Sequence, residues 1–128
     1  MDNSQPKILI IEDELEMAQA IRLRLESRNY LVVEANSGLD GLNKARIERP
    51  DLIILDVMLP KIDGFTICRV LKYDEDYGNI PIIILTAKTR RADLERGKEM
   101  GADAYLTKPF KGEELLQTVE RLLAKKAG

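Results

Sequence analysis

Leu52-Ile53-Ile54-Leu55-Asp56 sets four apolar residues in a row and closes them with a carboxylate. A strand with one face in water alternates apolar and polar residues, so an unbroken run fits a strand covered on both faces of a parallel sheet. Pro50-Asp51 just before it supplies the break from which such a strand starts. Ile8 to Ile11 and Ile82 to Leu85 have the same character, the latter preceded by Gly78-Asn79. Tyr30 to Val33 and the brief Ala104-Tyr105-Leu106 are shorter or more mixed, which suits the edges of a sheet.

Between these runs the apolar spacing changes to three or four residues, as in Leu15, Ala18, Ile21 and Leu25, or Leu115, Leu116, Val119, Leu122 and Leu123. That period predicts helices, and Ser37 stands where it can cap the second of them. Strands alternating with helices imply right-handed crossovers and the α/β class. The expected architecture is a five-stranded parallel sheet in the order 2-1-3-4-5, flanked by five helices, a flavodoxin-like doubly wound fold. The alternation is compatible with that order without fixing it. No linker or second domain is visible, so residues 1–128 read as a single domain with a core of about 7–123.

The chain has 128 residues, 45% hydrophobic and 33% charged, an ordinary balance for one folded domain. A net charge of -2 offers no basic footprint for nucleic acid or an anionic membrane, so no direct nucleic-acid contact is expected. The single Cys68 rules out an intrachain disulfide and fits a reducing compartment, and it sits on a helical pattern as a core residue. The start lacks a basic region followed by an apolar stretch, and no apolar run approaches the ~20 residues of a membrane span. The expected setting is cytoplasmic. There is no histidine, which removes histidine triads and imidazole metal sites.

Open parallel sheets bind ligands at the carboxyl ends of their strands, near the switch point. In this sequence the first run is followed by Glu12-Asp13, the third ends at Asp56, the fourth is followed by Thr86-Ala87 and the fifth by Thr107-Lys108-Pro109. Several carboxylates at one rim repel each other unless a cation intervenes. Ligands that are all oxygen suit a hard ion, Mg²⁺ first and Mn²⁺ as a substitute. Lys108 adds a point charge for a phosphoryl oxygen, and the Thr86 hydroxyl can donate to another. Asp56 is then the nucleophile that forms an acyl phosphate. The added charge would draw Thr86 inward and vacate space for Tyr105, turning a chemical mark into a surface change.

Taken singly, each of these residues has a plainer reading. Glu12-Asp13-Glu14 is a favourable acidic helix start, Asp56 a strand-ending turn residue, Thr86 a helix cap and Lys108 a solvated lysine. Their joint placement at successive strand ends outweighs those readings. Asp74-Glu75-Asp76 reads as a solvated loop. Lys88, Arg90 and Arg91 stand near the expected start of the fourth helix, as solvated charges or a partner contact.

From about Lys7 to Leu123 the chain resembles the receiver domain of two-component response regulators. The motifs are Ile10-Ile11-Glu12-Asp13-Glu14, Pro50 to Asp56, Met58-Leu59-Pro60-Lys61-Ile62-Asp63-Gly64, Ile84-Leu85-Thr86-Ala87, Gly101-Ala102-Asp103-Ala104-Tyr105 and Lys108-Pro109-Phe110. The resemblance implies that Asp56 takes phosphate from a sensor histidine kinase or a histidine phosphotransfer protein. It implies Mg²⁺ held by Asp13, Asp56 and the Met58 carbonyl, with Glu12 acting through water, and a cis bond before Pro109. It also places partner contacts on the fourth helix, fifth strand and fifth helix. Such a chain catalyses its own phosphorylation and dephosphorylation but is a switch rather than a turnover enzyme. Ala104 stands where one dimerising subgroup has the second of two paired acids, which argues against that subgroup's charge-paired dimer. Met58 and Lys88 border the site without an acid or amide to position water, so a long-lived phosphorylated form is expected.

Other classes fit less well. A flavin site needs a hydroxyl- and glycine-rich loop where this chain has Glu12-Asp13-Glu14-Leu15, and an aspartyl-phosphate hydrolase needs a carboxylate where Met58 stands. A dinucleotide site needs Gly-x-Gly-x-x-Gly after the first strand. The remaining alternative is a phosphate-independent interaction module of the same fold.

Overall fold

The computed structural model describes residues 5–87, 95–96 and 98–127. Its strands are β1 (Lys7–Ile11), β2 (Leu31–Ala35), β3 (Leu52–Asp56), β4 (Ile82–Thr86) and β5 (Ala104–Thr107). Its helices are α1 (Leu15–Ser27), α2 (Gly38–Glu48), α3 (Gly64–Lys72) and α4 (Gly112–Ala127). The strands form one parallel sheet in the order β2-β1-β3-β4-β5, as the sequence led us to expect.

The unbroken apolar runs are explained by which side each residue faces. Leu9, Ile11, Ile53, Leu55, Ile82 and Ile84 pack against α2 and α3 through Ala45, Phe65, Ile67, Cys68 and Leu71. Their neighbours Ile8, Ile10, Leu52, Ile54, Ile83 and Leu85 pack on the other face against Ile21 and Leu25 of α1 and Leu115, Leu116, Val119 and Leu122 of α4. Successive side chains of a strand alternate sides, so covering both faces leaves no position for a polar residue. Each fully buried Ile or Leu contributes about 1.5–3 kcal/mol of transfer free energy. β3, buried along all five residues, lies at the centre of this double core.

Helix starts follow from local chemistry. Ser37 accepts the Asp40 N–H at 3.1 Å and caps α2, as its position predicts. Asp63 accepts the Thr66 N–H at 3.0 Å and caps α3. Asp51 Oδ2 accepts the Lys7 N–H at 2.7 Å, tying the turn before β3 to the start of β1.

The structure corrects three expectations. Five flanking helices were expected, and the described residues hold four. Residues 95–96 and 98–99 are helical, but 88–94 and 97, with the expected start of a helix at Lys88, Arg90 and Arg91, lie outside the described residues. The expected fifth helix is therefore α4 here. Second, β2 runs from Leu31 to Ala35 rather than from Tyr30 to Val33. Glu34 hides this from the apolar pattern because its carboxylate is paired with Arg22 at 2.6 Å while its backbone stays in the ladder. Third, Leu15, counted in the apolar spacing of α1 with Ala18, Ile21 and Leu25, is 67% exposed, because it is the first residue of the helix and lies at the rim beside Asp13. Among the described residues no helix is long and apolar enough to cross a membrane.

Candidate functional site

β1, β3, β4 and β5 end at one rim of the sheet, and register sets their last residues side by side. Ile11 is opposite Leu55, Asp56 opposite Leu85, and Thr86 opposite Thr107. Asp56, the last residue of β3, is thus flanked by the chain leaving β1 at Glu12-Asp13 and by the ends of β4 and β5. Glu12, Asp13 and Asp56 each bring a carboxylate oxygen within 4.8 Å of the others. Glu12 and Asp56 are buried and Asp13 is exposed, so the cluster opens to solvent on the Asp13 side.

Both Asp56 oxygens are engaged. Oδ1 accepts the Met58 N–H at 2.9 Å, and Oδ2 accepts from Lys108 Nζ at 2.9 Å. Lys108 Nζ also lies 3.6 Å from Glu12 Oε1. The Lys108 N–H donates to the Thr86 carbonyl at 2.7 Å, which ties its backbone to the end of β4, and its peptide bond to Pro109 is cis, as the resemblance implies. The loop after β3 approaches closely because residue 64 is glycine. A Cβ there would fall on the Asp56 carbonyl and 2.5 Å from Val57 Cα, and the Gly64 N–H donates to the Val57 carbonyl at 3.1 Å.

The electrostatics are incomplete without a cation. Glu12 Oε2 accepts the Glu14 N–H at 3.1 Å, but Oε1 is buried and accepts no hydrogen bond among the described residues. Burial, reinforced by the hydrogen bond and charge of Asp56, pushes the Glu12 carboxyl up to about 7, against the pull of the Glu14 N–H and Lys108. Burial works against the Lys108 charge too, yet the hydrogen bond and charge of Asp56, with Glu12 behind, hold its ammonium above the usual range. Among the described residues, Lys108 thus offsets two carboxylates of a cluster of three. An orphaned buried carboxylate oxygen beside two other carboxylates is the donor set a hard divalent cation takes, so the residues fit such an ion.

The structure therefore gathers Glu12, Asp13, Asp56, Met58, Thr86 and Lys108 at one rim. Thr86 is buried at the end of β4, and Met58 is 57% exposed in the loop after β3. Tyr105 is half-buried on β5, opposite Ile84 and against the α2–α3 side of the core. Lys88 lies outside the described residues. Sequence reasoning gave no role to Gly64 or Asp63, although an aspartate three residues before Thr66 in a helical pattern is a cap signal. It also missed Asp103, whose Oδ2 accepts the Ile82 N–H at 2.8 Å and pairs with Lys72 Nζ at 3.0 Å.

Comparison with known proteins agrees with this geometry. The profile of the response regulator receiver domain matches residues 8–120. The DNA-binding dual master transcriptional regulator RpaA of Synechocystis sp. is 46% identical over 118 residues, covering 92% of this chain and 49% of its own. The chain spans about half the length of the curated relatives it matches. Chemotaxis response regulator CheY4 of Vibrio cholerae superposes with a TM-score of 0.87 at 34% identity, over 93% of this chain and 99% of its own. The receiver domain of a sensor histidine kinase of Pseudomonas aeruginosa, solved with magnesium coordinated in its active-site cleft, gives 0.86 at 32% identity over 94% and 99%.

Proposed function

The chain belongs to the response regulator receiver domain family, and from that premise we propose that it is a phosphorylation switch with Asp56 as acceptor. The observation that carries this is the buried Asp56 carboxylate at the end of β3, within 4.8 Å of two other carboxylates and hydrogen-bonded by Lys108. An Asp56 oxygen attacks phosphorus in a phosphohistidine of a sensor kinase or phosphotransfer protein. The P–N bond breaks, its electron pair leaves with the imidazole nitrogen, and an acyl phosphate forms.

Lys108 holds Asp56 Oδ2 before the reaction and is within reach of a phosphoryl oxygen after it, so its charge follows the transferring group. The Met58 N–H on Oδ1 fixes the carboxylate plane. Asp13, Asp56 and the Met58 carbonyl would hold Mg²⁺, with Mn²⁺ as a substitute and Glu12 acting through water; when bound, the ion offsets the carboxylate charge that repels an incoming phosphate. Thr86 donates to a phosphoryl oxygen, and its inward movement lets Tyr105 follow. The switched surface would meet a downstream protein or a linked effector. The proposal places it in the cytoplasm and has this chain contact no nucleic acid, in keeping with its net charge of -2.

Incubation with Mg²⁺ and acetyl phosphate, followed by intact mass, tests the assignment. One phosphoryl adduct is expected on the wild type and none on Asp56→Ala. An equal adduct on both would place the acceptor elsewhere, and none on the wild type would favour an interaction module that works without phosphate.

A further inference from the structure

Arg96, in the stretch between β4 and β5, reaches away from its own segment to the start of α3. Its Nη2 lies 3.6 Å from Asp63 Oδ2, and its guanidinium carbon sits 4.7 Å from the centre of the Phe65 ring. Asp63 is shared: Oδ1 caps α3 through the Thr66 N–H, which leaves Oδ2 to face Arg96. Phe65 is buried, so the ring beneath the guanidinium is a fixed platform rather than a mobile side chain. Four residues on, the Met100 N–H donates to the Arg96 carbonyl at 3.0 Å, and the Met100 carbonyl accepts from the buried Cys68 thiol of α3 at 3.6 Å. The described end of this segment is therefore fastened to α3 at two places, one near its start and one midway along.

The two fastenings differ in kind. The thiol contact is part-buried, with Cys68 itself in the core, whereas Arg96 and Asp63 are half-exposed and their pair can open into water at little cost. The helix start that Arg96 grips also carries Gly64, whose N–H holds Val57 beside the acceptor Asp56. We propose that Arg96 is a positioning residue which, by pairing with Asp63 and stacking on Phe65, staples the segment before β5 to the start of α3 and so favours the resting side of the switch. This rests on the acceptor reading of Asp56. Tyr105 packs with Met100 and Ala102 against the α3 side of the core, so its movement behind Thr86 shifts the stretch that leads into β5 relative to the α3 start, and the staple resists that shift. Whatever eases the switched arrangement favours the phosphorylated form by the same factor.

The test compares wild type, Arg96→Ala and Arg96→Lys in saturating Mg²⁺ with acetyl phosphate, following adduct formation by intact mass over time. An exposed ion pair plus one cation–π contact is of a size to shift a two-state equilibrium about three- to ten-fold. Adduct formation on Arg96→Ala should be faster by up to that factor, with Arg96→Lys between, because lysine keeps the charge and loses the planar stack. A merely structural arginine gives the opposite sign, since a loosened α3 start would slow the reaction at Asp56. An adduct on wild type with an unchanged or slower rate in Arg96→Ala overturns the role of Arg96 alone. No adduct on wild type overturns the acceptor reading, and the staple's part in a switch with it.

Discussion

Replacing Glu12 by glutamine should remove most of one pH dependence of stability in the metal-free protein. The Glu12 carboxyl, ordinarily at 4.5, is pushed up to about 7 in the fold, chiefly by burial and then by Asp56. A carboxyl whose pKa is raised on folding costs nothing below its unfolded value, where both states carry the proton. The cost appears as pH rises through 4.5 and is complete above about 7, because the folded state must then hold a buried charge it disfavours. Between about pH 5 and pH 8 the displacement corresponds to a loss of about 2–3 kcal/mol. Glutamine has the same shape and no charge to lose, so the other carboxylates cancel when the two proteins are compared. Urea unfolding in EDTA across this range should show wild type falling relative to Glu12→Gln by that amount. Added Mg²⁺ should reverse the trend, stabilising wild type more as pH rises, since binding favours deprotonated ligands. Parallel pH curves for the two proteins in EDTA would refute the electrostatic account of the site.

Three other outcomes rest on particular contacts. Gly64→Ala should lower stability by about 2 kcal/mol or more and slow adduct formation, since its Cβ would meet the Asp56 carbonyl and Val57 Cα; thermal melts and intact mass check both. Lys108→Ala should slow phosphorylation by acetyl phosphate by about tenfold or more, because the ammonium that pairs with Asp56 and Glu12 is removed, as a mass time course would show. Asp103→Ala should cost about 1–3 kcal/mol, as it leaves the Ile82 N–H and the Lys72 ammonium short of a partner; urea unfolding measures the loss. It should leave adduct formation at Asp56 unchanged, since Asp103 stands at the opposite end of the sheet from the rim.

The fold was legible where a backbone rule and side-chain chemistry coincide. Four apolar residues without alternation, Leu52 to Leu55, fit a strand covered on both faces, and the two core layers bear that out. The gathering of the candidate site residues at one rim was legible because strand ends are read directly from those runs: Asp13, Asp56, Thr86 and Lys108 each stand just past one. β2 was misjudged because Glu34 keeps its place in the ladder while Arg22 satisfies its charge, an arrangement that leaves no apolar signal. Leu15 matched the helical period but sits at a helix start, where the core no longer covers it. The pairs Lys72–Asp103 and Arg96–Asp63 join residues from different elements. Charged residues are the ordinary content of solvated faces, so nothing in their spacing marks a partner that only the fold brings near.

The central claim is that a covalent acyl phosphate forms on Asp56, and chemical trapping tests it most directly. The protein is treated with acetyl phosphate and Mg²⁺, reduced with borohydride, digested and sequenced by mass spectrometry, since hydride converts an aspartyl phosphate to homoserine. The account predicts homoserine at residue 56 alone, dependent on Mg²⁺ and on the phosphodonor. Homoserine at Asp13 or another carboxylate, or an intact Asp56 in protein that carries the phosphoryl mass, would contradict it.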